Sequence, residues 1–272
     1  MKTVCVGRFL IDVPAEMQVS LSLGFAGGLD IWTTERESAE EFAARLRRTE
    51  AQMARTQNQG GRPSLEFVKT LVLGTGEGKT FVHNRRSTRR LKDHGYVINE
   101  NLALLGMVRF SNASVTGKIE WVAPEHVDEV SNILQRLRPL EVGEMPQQPG
   151  FCLDQAFIQD PYDHDGSEAI AMFAGFPNPP DVNLVLSSEA GVAPASGLLA
   201  RNARAAEREP FFMRLAFTHL RERARTINGM QGEELVMRIR EPNLTTGYSF
   251  GWETGGRQDD VFAPVLKLAL ES

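Results

Sequence analysis

A segment at 142–149 that contains glycine and proline divides the chain into two halves of similar length. Each half begins with an apolar, strand-like run that contains one of the chain's two cysteines, Cys5 or Cys152. An isoleucine follows each cysteine six residues later. The segment is typical of a linker, because glycine and proline interrupt regular structure. The sequence therefore predicts two domains, at 1–143 and 150–272.

Two helices are predicted in the first half. Ser38 and Glu41 have the spacing of a capping box, in which the two side chains satisfy free amides of a first helical turn. Apolar residues recur at helical spacing from Phe42 onward, which predicts a helix that ends near residue 57. A second helix is predicted to begin at Pro124, because acidic residues fill its first turn and arginines its last, as the helix dipole favours.

Strand-like sequence fills most of the remaining chain. Residues 3–13 predict one strand buried on both faces, because apolar side chains dominate the run. The second half repeats the plan of the first, with a short helix predicted at 196–207 and a closing helix at 259–270. The result is an α+β fold of two similar-sized domains, each a mainly antiparallel sheet with two helices in a β-β-β-α-β-β-β-α plan. The other predicted strands are 17–23, 29–32, 65–73, 80–86, 96–99, 104–110, 119–122, 151–158, 168–174, 182–187, 221–228, 233–240 and 246–253.

The net charge of −5 and the pI of about 5.7 argue against nucleic acid as a partner, because proteins that bind nucleic acid usually carry a basic excess. Basic residues cluster in two places, but apolar residues interleave with them, which is typical of a solvated strand or helix face. No stretch has the roughly 20 consecutive apolar residues of a membrane-spanning helix. The clusters are Arg85, Arg86, Arg89, Arg90 and Lys92, and Arg221, Arg223 and Arg225.

The two cysteines leave the cellular compartment open. In a reducing compartment, Cys5 and Cys152 are expected to be buried as small hydrophobic residues. In an oxidising compartment, a Cys5–Cys152 disulfide would close a loop of about 150 residues and would strongly constrain the unfolded chain. No signal peptide is visible, because Met1 and Lys2 lead directly into a strand. The chain is therefore either cytoplasmic or the mature form of an exported protein.

Residues 74–80 read Gly-Thr-Gly-Glu-Gly-Lys-Thr, which is similar to a phosphate-binding loop. That loop needs four residues between its first glycine and the Gly-Lys-Thr, whereas three stand here. It also needs a following helix whose amino terminus helps to hold the phosphates, whereas residues 81–86 alternate like a strand. A glycine-rich hairpin turn is therefore predicted.

The sequence Gly-Tyr-Ser-Phe-Gly at 247–251 matches the nucleophile elbow of serine hydrolases. In those enzymes a histidine follows the serine along the chain, whereas the last histidine here is His219. Aromatic residues alternate through the motif, which predicts that Ser249 lies inside a strand. A serine hydrolase that uses Ser249 stays an alternative function.

No other residues predict a catalytic, cofactor or metal site. Residues 160–166 suggest a calcium loop, but Pro161 and Met172 occupy two of its ligand positions, so a polar turn is expected. The five histidines form no His-x-x-x-His pair and lie away from the cysteines, so no zinc site is predicted. Glu233 and Glu234 follow a glycine-rich turn and are expected at the exposed start of a hairpin strand. Without a nucleophile, a base and an orienting group, the chain favours a binding role.

Three segments together resemble a known family. Residues 5–14 read Cys-Val-Gly-Arg-Phe-Leu-Ile-Asp-Val-Pro, residues 150–158 read Gly-Phe-Cys-Leu-Asp-Gln-Ala-Phe-Ile, and residues 229–235 read Gly-Met-Gln-Gly-Glu-Glu-Leu. Their order and spacing are similar to those of the immunity proteins that protect bacteria from type VI secretion lipase effectors of the fourth lipase family. The resemblance spans nearly the whole chain.

The resemblance implies a two-domain α+β protein that is not an enzyme. Such a protein binds its cognate phospholipase effector stoichiometrically in the periplasm and keeps it from its lipid substrate. Members of the family usually carry an export signal or a lipid anchor. The resemblance therefore implies that a segment with this role, which could anchor the protein to a membrane, has been removed from this chain.

Two domains joined by a proline-containing linker are expected to form a groove, and such grooves often serve as binding sites. A partner that covers the entrance of a lipase would block access to lipid without touching the nucleophile. Phe25, Tyr162, Phe176 and Trp252 are predicted to contact the effector from loops near this groove. A cytoplasmic ligand-binding or scaffold protein with reduced cysteines is the remaining alternative.

Overall fold

The computed structural model describes residues 1–92, 95–111, 113–141, 143–162, 166–177, 182–193, 196–210, 214–241, 243, 245–258 and 260–272. Most of these residues lie in strands. The elements up to the linker are β1 (Lys2–Val6), β2 (Phe9–Val13), β3 (Gln18–Leu21), β4 (Gly24–Ala26), β5 (Leu29–Glu35), α1 (Ala39–Arg55), β6 (Leu65–Leu71), β7 (Glu77–Lys92), β8 (Gly95–Arg109), β9 (Ala113–Val122), a 3-10 turn (Pro124–His126), α2 (Val127–Gln135) and β10 (Leu137–Pro139). The later elements are β11 (Gly150–Leu153), β12 (Ala156–Gln159), β13 (Glu168–Gly175), β14 (Asn183–Ala190), α3 (Leu198–Arg208), β15 (Phe217–Ile227), β16 (Met230–Arg240), β17 (Thr246–Thr254) and β18 (Val265–Glu271).

The chain forms two compact units. The continuous unit is Leu23–Tyr162, and the discontinuous unit combines Met1–Ser22 with Asp163–Ser272. The first residues belong to the discontinuous unit because β3 pairs antiparallel with β13. The compact units therefore differ from the predicted division at 1–143 and 150–272 in two places: the first 22 residues belong with the later half of the chain, and residues 150–162 belong to the continuous unit.

The continuous unit contains an antiparallel sheet in the order β4-β5-β9-β8-β7-β6 and a small sheet in the order β10-β12-β11. The helix α1 covers one face of the larger sheet. Its capping box forms as predicted: the Glu41 amide donates to the Ser38 hydroxyl, and the Ser38 amide donates to the Glu41 carboxylate. Phe42 is fully buried against Phe81 and Met107 of the sheet, and burial of a side chain of this size contributes roughly 1.5–3 kcal/mol.

The opposite face of this sheet receives α2 at a pair of glycines. Gly106 of β8 and Gly117 of β9 stand directly opposite each other across the strands. A Cβ atom at Gly106 would lie 2.0 Å from Leu134 Cδ1, and one at Gly117 would lie 2.9 Å from Leu134 Cδ2. The two glycines therefore create the space in which the fully buried Leu134 packs. Because neighbouring strand residues alternate between faces, α1 contacts Met107 while α2 contacts Gly106.

The discontinuous unit contains an antiparallel sheet in the order β15-β16-β17-β18-β14-β13, and β3 also pairs with β13. The short helix predicted at 196–207 is confirmed as α3. The helix begins above β16, where the Leu199 amide donates to the Glu233 carboxylate over 2.8 Å. Met172 and Leu186 are buried within the sheet's core. In both units the sheets are mainly antiparallel with few helices, which agrees with the predicted α+β class.

Residues 3–13 form two strands instead of one. β1 and β2 pair antiparallel with each other along their whole length. Gly7 lies between them with φ of 57°, a left-handed conformation that glycine adopts without a Cβ penalty. Leu10 is exposed. The prediction of a single strand buried on both faces is wrong, because an apolar run does not reveal a tight turn inside it.

The closing helix predicted at 259–270 is also wrong. β18 occupies this region and pairs with β17 on one side and β14 on the other. Short apolar runs fit helical and strand spacing equally well. Here pairing with strands that are distant in the sequence decides between helix and strand. The repeated β-β-β-α-β-β-β-α plan fails in the second half, where β18 replaces the closing helix, and in the first half, where five strands precede α1.

The glycine pair under α2 generates the first prediction. Gly106→Ala is expected to lower the free energy of unfolding by about 1–3 kcal/mol, because the added methyl group displaces a side chain in a closely packed core. Gly74→Ala is the matched control: its Cβ would meet no atom within 4 Å. Urea unfolding of both variants measures the difference. Equal stabilities for the two variants would show that Leu134 has room to move.

Candidate functional site

The outer halves of β7 and β8 form an exposed arm, which we define as residues 87–92 with 95–100. Every described side chain of the arm is exposed, whereas Phe81 and Leu104, further along the same two strands, are fully buried. The arm is held by antiparallel pairing that runs from Ser87 opposite Glu100 to Lys92 opposite Gly95. The arm is therefore a two-stranded ribbon, and none of its described side chains is buried.

A bulge separates the arm from the covered part of the two strands. The register shifts between His83 and Arg86, and Asn84 within the bulge has φ of 55°. Bulges bend a strand and increase its twist, so this one changes the direction of the ribbon at the arm's base. Burial lowers the pKa of His83 below its ordinary value, which favours the neutral imidazole beside the bulge.

Cross-strand pairing divides the arm into two faces. Directly opposed residues share a face of an antiparallel ribbon, and successive residues alternate between faces. Three large apolar side chains therefore lie on one face. Leu91 is 71% exposed, Tyr96 is 59% exposed and Ile98 is 67% exposed. We define the front face as Arg89, Leu91, Tyr96 and Ile98, and the back face as Thr88, Arg90, Val97 and Asn99; Ser87 and Glu100 lie at the base of the arm on the same side as the front face.

The arginines of the arm differ from those at its base. At the base, Arg85 donates to Glu66 over 2.9 Å and to Glu100 over 2.6 Å, and the hydrogen bonds from Arg85 lower the pKa of Glu66. In the arm, the Arg89 guanidinium lies 3.6 Å from the centre of the Tyr96 ring. Within the described parts of the chain, no carboxylate forms an ion pair with Arg89 or Arg90. The front face thus combines apolar surface with a cation that no described carboxylate neutralises.

Sequence reasoning missed this arm. It predicted separate strands at 80–86 and 96–99, and it interpreted the arginine run between them as a solvated face. The structure confirms the solvation but extends β7 to Lys92 and begins β8 at Gly95. The spacing of Arg89 and Leu91, and of Tyr96 and Ile98, could have indicated the arm. Residues two apart in a strand share a face, so each pair places its side chains on one side of the ribbon.

A second group of arginines lies on β15, the strand that ends the sheet order of the discontinuous unit. Arg221, Arg223 and Arg225 all contact Glu234 of β16, at 3.3 Å for Arg221 and 3.2 Å for Arg223. The Glu234 side chain is 0% exposed, although the three arginine side chains are about half exposed. The expectation that Glu234 lies at an exposed strand start is therefore wrong, because the arginines cover it.

Opposing effects determine the ionisation of Glu234. Burial acts to raise its pKa, but hydrogen bonds and charges from Arg225, Arg221 and Arg223 outweigh burial, and the net pKa is lowered. The neighbouring Glu233 lies on the other face of the strand and accepts the Leu199 amide. The two carboxylates therefore do not form a pair that could perform acid–base chemistry.

The four residues predicted to contact an effector differ in accessibility. Tyr162 and Trp252 are 6% and 3% exposed, and the Trp252 indole donates to the Arg225 carbonyl over 3.0 Å. Phe25 lies in β4 and is half-buried. Phe176 is also half-buried and lines an open cavity of about 440 Å³ in the discontinuous unit. Of the four, Phe25 and Phe176 have surface to offer a partner.

Ser249 lies inside β17, as predicted. It pairs with Met237 of β16 and with Glu271 of β18. A nucleophile elbow needs a sharp turn from strand to helix, and this serine stands instead in the middle of a continuous strand. The alternative of a serine hydrolase that uses Ser249 is therefore wrong.

The glycine-rich segment at 74–80 spans the end of the loop between β6 and β7 and the start of β7, which confirms the predicted hairpin turn. These strands pair antiparallel, with Leu71 opposite Gly78. Lys79 lies within β7 and contacts Glu50 of α1 at 3.4 Å. No helix follows the glycines, so the segment lacks the amide donors that a phosphate-binding loop provides.

Among the residues that the structure describes, no group of three or more histidine, cysteine or acidic side chains is placed to hold a metal ion. Asp163, His164 and Asp165 of the calcium-like segment lie outside the described residues. None of the helices in the described part of the chain is long and apolar enough to cross a membrane.

Solved structures share this fold. The apo structure of immunity protein TplEi of T6SS from Pseudomonas aeruginosa has a TM-score of 0.79 and 22% identity, over 99% of this chain and 86% of that chain. TplEi in complex with "L" peptide gives a TM-score of 0.75 and 24% identity, over the same shares. A chain of the Tle4-Tli4 complex has a TM-score of 0.78 and 21% identity, over 99% of this chain and 85% of that chain. A comparison with curated protein sequences gives no match.

Family comparison covers nearly the whole chain. The N-terminal domain of Tle cognate immunity protein 4 matches residues 2–139, and the C-terminal domain matches residues 144–272. The protein is therefore an immunity protein, which acts as an inhibitor and not as an enzyme. It belongs to the Tle cognate immunity protein 4 family, as the resemblance in the sequence implied.

The buried carboxylate of Glu234 generates a second prediction. Glu234→Gln is expected to lower the free energy of unfolding by about 1–3 kcal/mol at pH 7, because charge-assisted hydrogen bonds from three arginines are weakened. The folded-state pKa lies below the ordinary value of 4.5. The stabilisation by the ionised Glu234 carboxylate is therefore complete above pH 4.5, and it is lost as the pH falls through the folded-state pKa.

Urea unfolding at pH 7 and at low pH measures both effects. The difference in the free energy of unfolding between wild type and Glu234→Gln should be large at pH 7 and smaller at low pH. Glu271→Gln is the control, since Glu271 is exposed at the end of β18, and its effect should stay within about 0.5 kcal/mol. A gap that is independent of pH would contradict the role given to the carboxylate charge.

Proposed function

We propose that the protein neutralises a cognate type VI secretion lipase effector by forming a one-to-one complex that blocks the effector's access to lipid. The observation that carries the proposal is the match of both halves of the chain to Tle cognate immunity protein 4. The complex between Tle4 and Tli4 supports it, since a chain of that complex shares this fold.

The chemistry of the described residues is consistent with inhibition by binding. Ser249 is held within a strand, and Glu233 and Glu234 serve structural contacts, so none of them is placed to attack a substrate. An inhibitor needs a different feature, which is surface complementary to its partner. Stable protein complexes bury about 1,200–2,000 Å² in total, so more than one surface element must contribute.

Two of the residues predicted from the sequence stay in this proposal. Phe25 and Phe176 retain part of their surface, and Phe176 lines an open cavity together with Gln18 and Phe173. Aromatic side chains are frequent anchors of interfaces because they bury large areas at low entropic cost. Tyr162 and Trp252 support the fold from buried positions, so we do not retain them as contacts.

We place this activity in the periplasm, where a disulfide between Cys5 and Cys152 would form. Neither cysteine is a free thiol in the structure. Disulfides persist in the periplasm and are rare in the reducing cytosol. A loop of about 150 residues between the cysteines makes the expected stabilisation large in the chain-entropy account.

Lipase titration tests the proposed inhibition. Addition of this protein to the purified cognate effector is expected to abolish hydrolysis of phospholipid vesicles, with a break at one equivalent. Ser249→Ala is the control variant and should inhibit as well as wild type, because Ser249 has no catalytic role. Undiminished lipase activity at a large excess of the protein would refute the proposal.

Thiol counting tests the disulfide. The protein purified from the periplasm and unfolded without reductant should show no reactive thiol, and reduction should release two. The paired variant Cys5→Ser with Cys152→Ser is expected to lose about 2–4 kcal/mol of stability. Two reactive thiols in the unreduced protein would argue for a reducing compartment instead.

A further inference from the structure

We infer that the front face of the arm, formed by Arg89, Leu91, Tyr96 and Ile98, is a principal contact with the effector and that it is received by an apolar cleft with an acidic rim. This inference rests on the proposed function and specifies which surface performs it.

The density of exposed apolar side chains is the first reason. Of the large hydrophobic residues exposed in the described structure, four lie within eight positions of the arm: Leu91, Tyr96, Val97 and Ile98. Single exposed hydrophobic residues are normal on soluble proteins, but contiguous ones mark interaction sites. Three of these four share the front face, so the partner surface that covers them must itself be apolar.

The shape of the arm is the second reason. Strands lie about 4.8 Å apart and rise about 3.3 Å per residue, so six paired positions make a ribbon roughly 20 Å long and two strands wide. A ribbon only two strands wide suits a cleft better than a flat surface. Because the arm contributes nothing to the core, it can be covered by a partner without rearrangement of the fold.

Charge is the third reason. Arg89 on the front face and Arg90 on the back face form no ion pair with a described carboxylate, whereas Glu100 at the base of the arm shares Arg85 with Glu66. The whole chain carries a net charge of −5, so the arm is a local positive region on an acidic protein. Acidic groups around the receiving cleft would attract this region and repel the rest of the surface, which favours one orientation of encounter.

Pre-organisation is the fourth reason. The Arg89 guanidinium already lies over the Tyr96 ring at 3.6 Å from its centre. Such a cation–π contact restricts both side chains before binding, so less conformational entropy is lost when the complex forms. Tyrosine and arginine are also among the residue types that are enriched at energetic hot spots in interfaces.

The decisive variant carries Leu91→Thr, Tyr96→Thr and Ile98→Thr. Threonine retains strand propensity, so the ribbon persists while its front face loses the large apolar side chains. The matched control carries Val97→Thr and Asn99→Thr on the back face. Thermal unfolding should leave both variants close to wild type, because these side chains are exposed.

Calorimetric titration of the purified effector measures the dissociation constant of each form. The front-face variant is expected to bind at least 100-fold more weakly than wild type, and the back-face control within threefold. Equal affinity of wild type and front-face variant would overturn the inference but leave the proposed inhibition intact. No binding by wild type would refute the proposed function itself, and the inference with it.

Charge reversal provides an independent test. Arg89→Glu with Arg90→Glu is expected to slow association with the effector about tenfold at low salt, because steering by opposite charges is replaced by repulsion. The wild-type association rate should fall as salt is added, whereas the rate of the reversed variant should rise. An association rate that does not respond to the reversal would exclude an acidic rim.

Two other occupants of the front face are outcomes of the same experiments. Wild-type binding to vesicles of phosphatidylglycerol, lost in the front-face variant while effector affinity is unchanged, would assign the arm to a membrane surface. A wild-type dimer in sedimentation that dissociates in this variant, again with unchanged effector affinity, would assign it to a second copy of the chain. Either result would overturn contact with the effector.

Discussion

The ladder of backbone hydrogen bonds between β7 and β8 is anchored at one end only. Near that end the ladder lies between two helices, with Phe81 and Met107 against Phe42 on one side and Gly106 against Leu134 on the other. Beyond the bulge, the ladder alone carries the strands into solvent. The arrangement of the arm therefore depends on the register that the core sets, because a slip of one residue would exchange its front and back faces.

Elements with local signals could be predicted from the sequence. The capping box at Ser38 and the apolar stripe that follows specify α1 within a single segment, and the structure confirms both. The final strand could not be predicted in this way. β18 is defined by pairing with β14 and β17, and its apolar residues fit a helix equally well until those partners are known. The turn at Gly7, inside an apolar run, is a similar case.

The candidate site was harder to predict than the fold, because exposure is a property of the whole structure. Trp252 has the residue type of an interface anchor, yet it is buried and hydrogen-bonded to Arg225. Arginine runs that looked alike in the sequence have different roles: Arg221, Arg223 and Arg225 enclose a buried carboxylate, whereas Arg89 lies over an exposed tyrosine. Only the three-dimensional positions of the carboxylates separate these cases.

The isolation of the arm has a consequence for how such a protein can change over generations. A substitution at Leu134 or Glu234 disturbs many neighbours at once, so folding restricts the replacements that selection can accept. A substitution on the front face of the arm disturbs no buried neighbour, because the ribbon is maintained by its backbone. The surface that contacts the effector can then change in sequence as quickly as the effector does, while the core that supports the arm changes little.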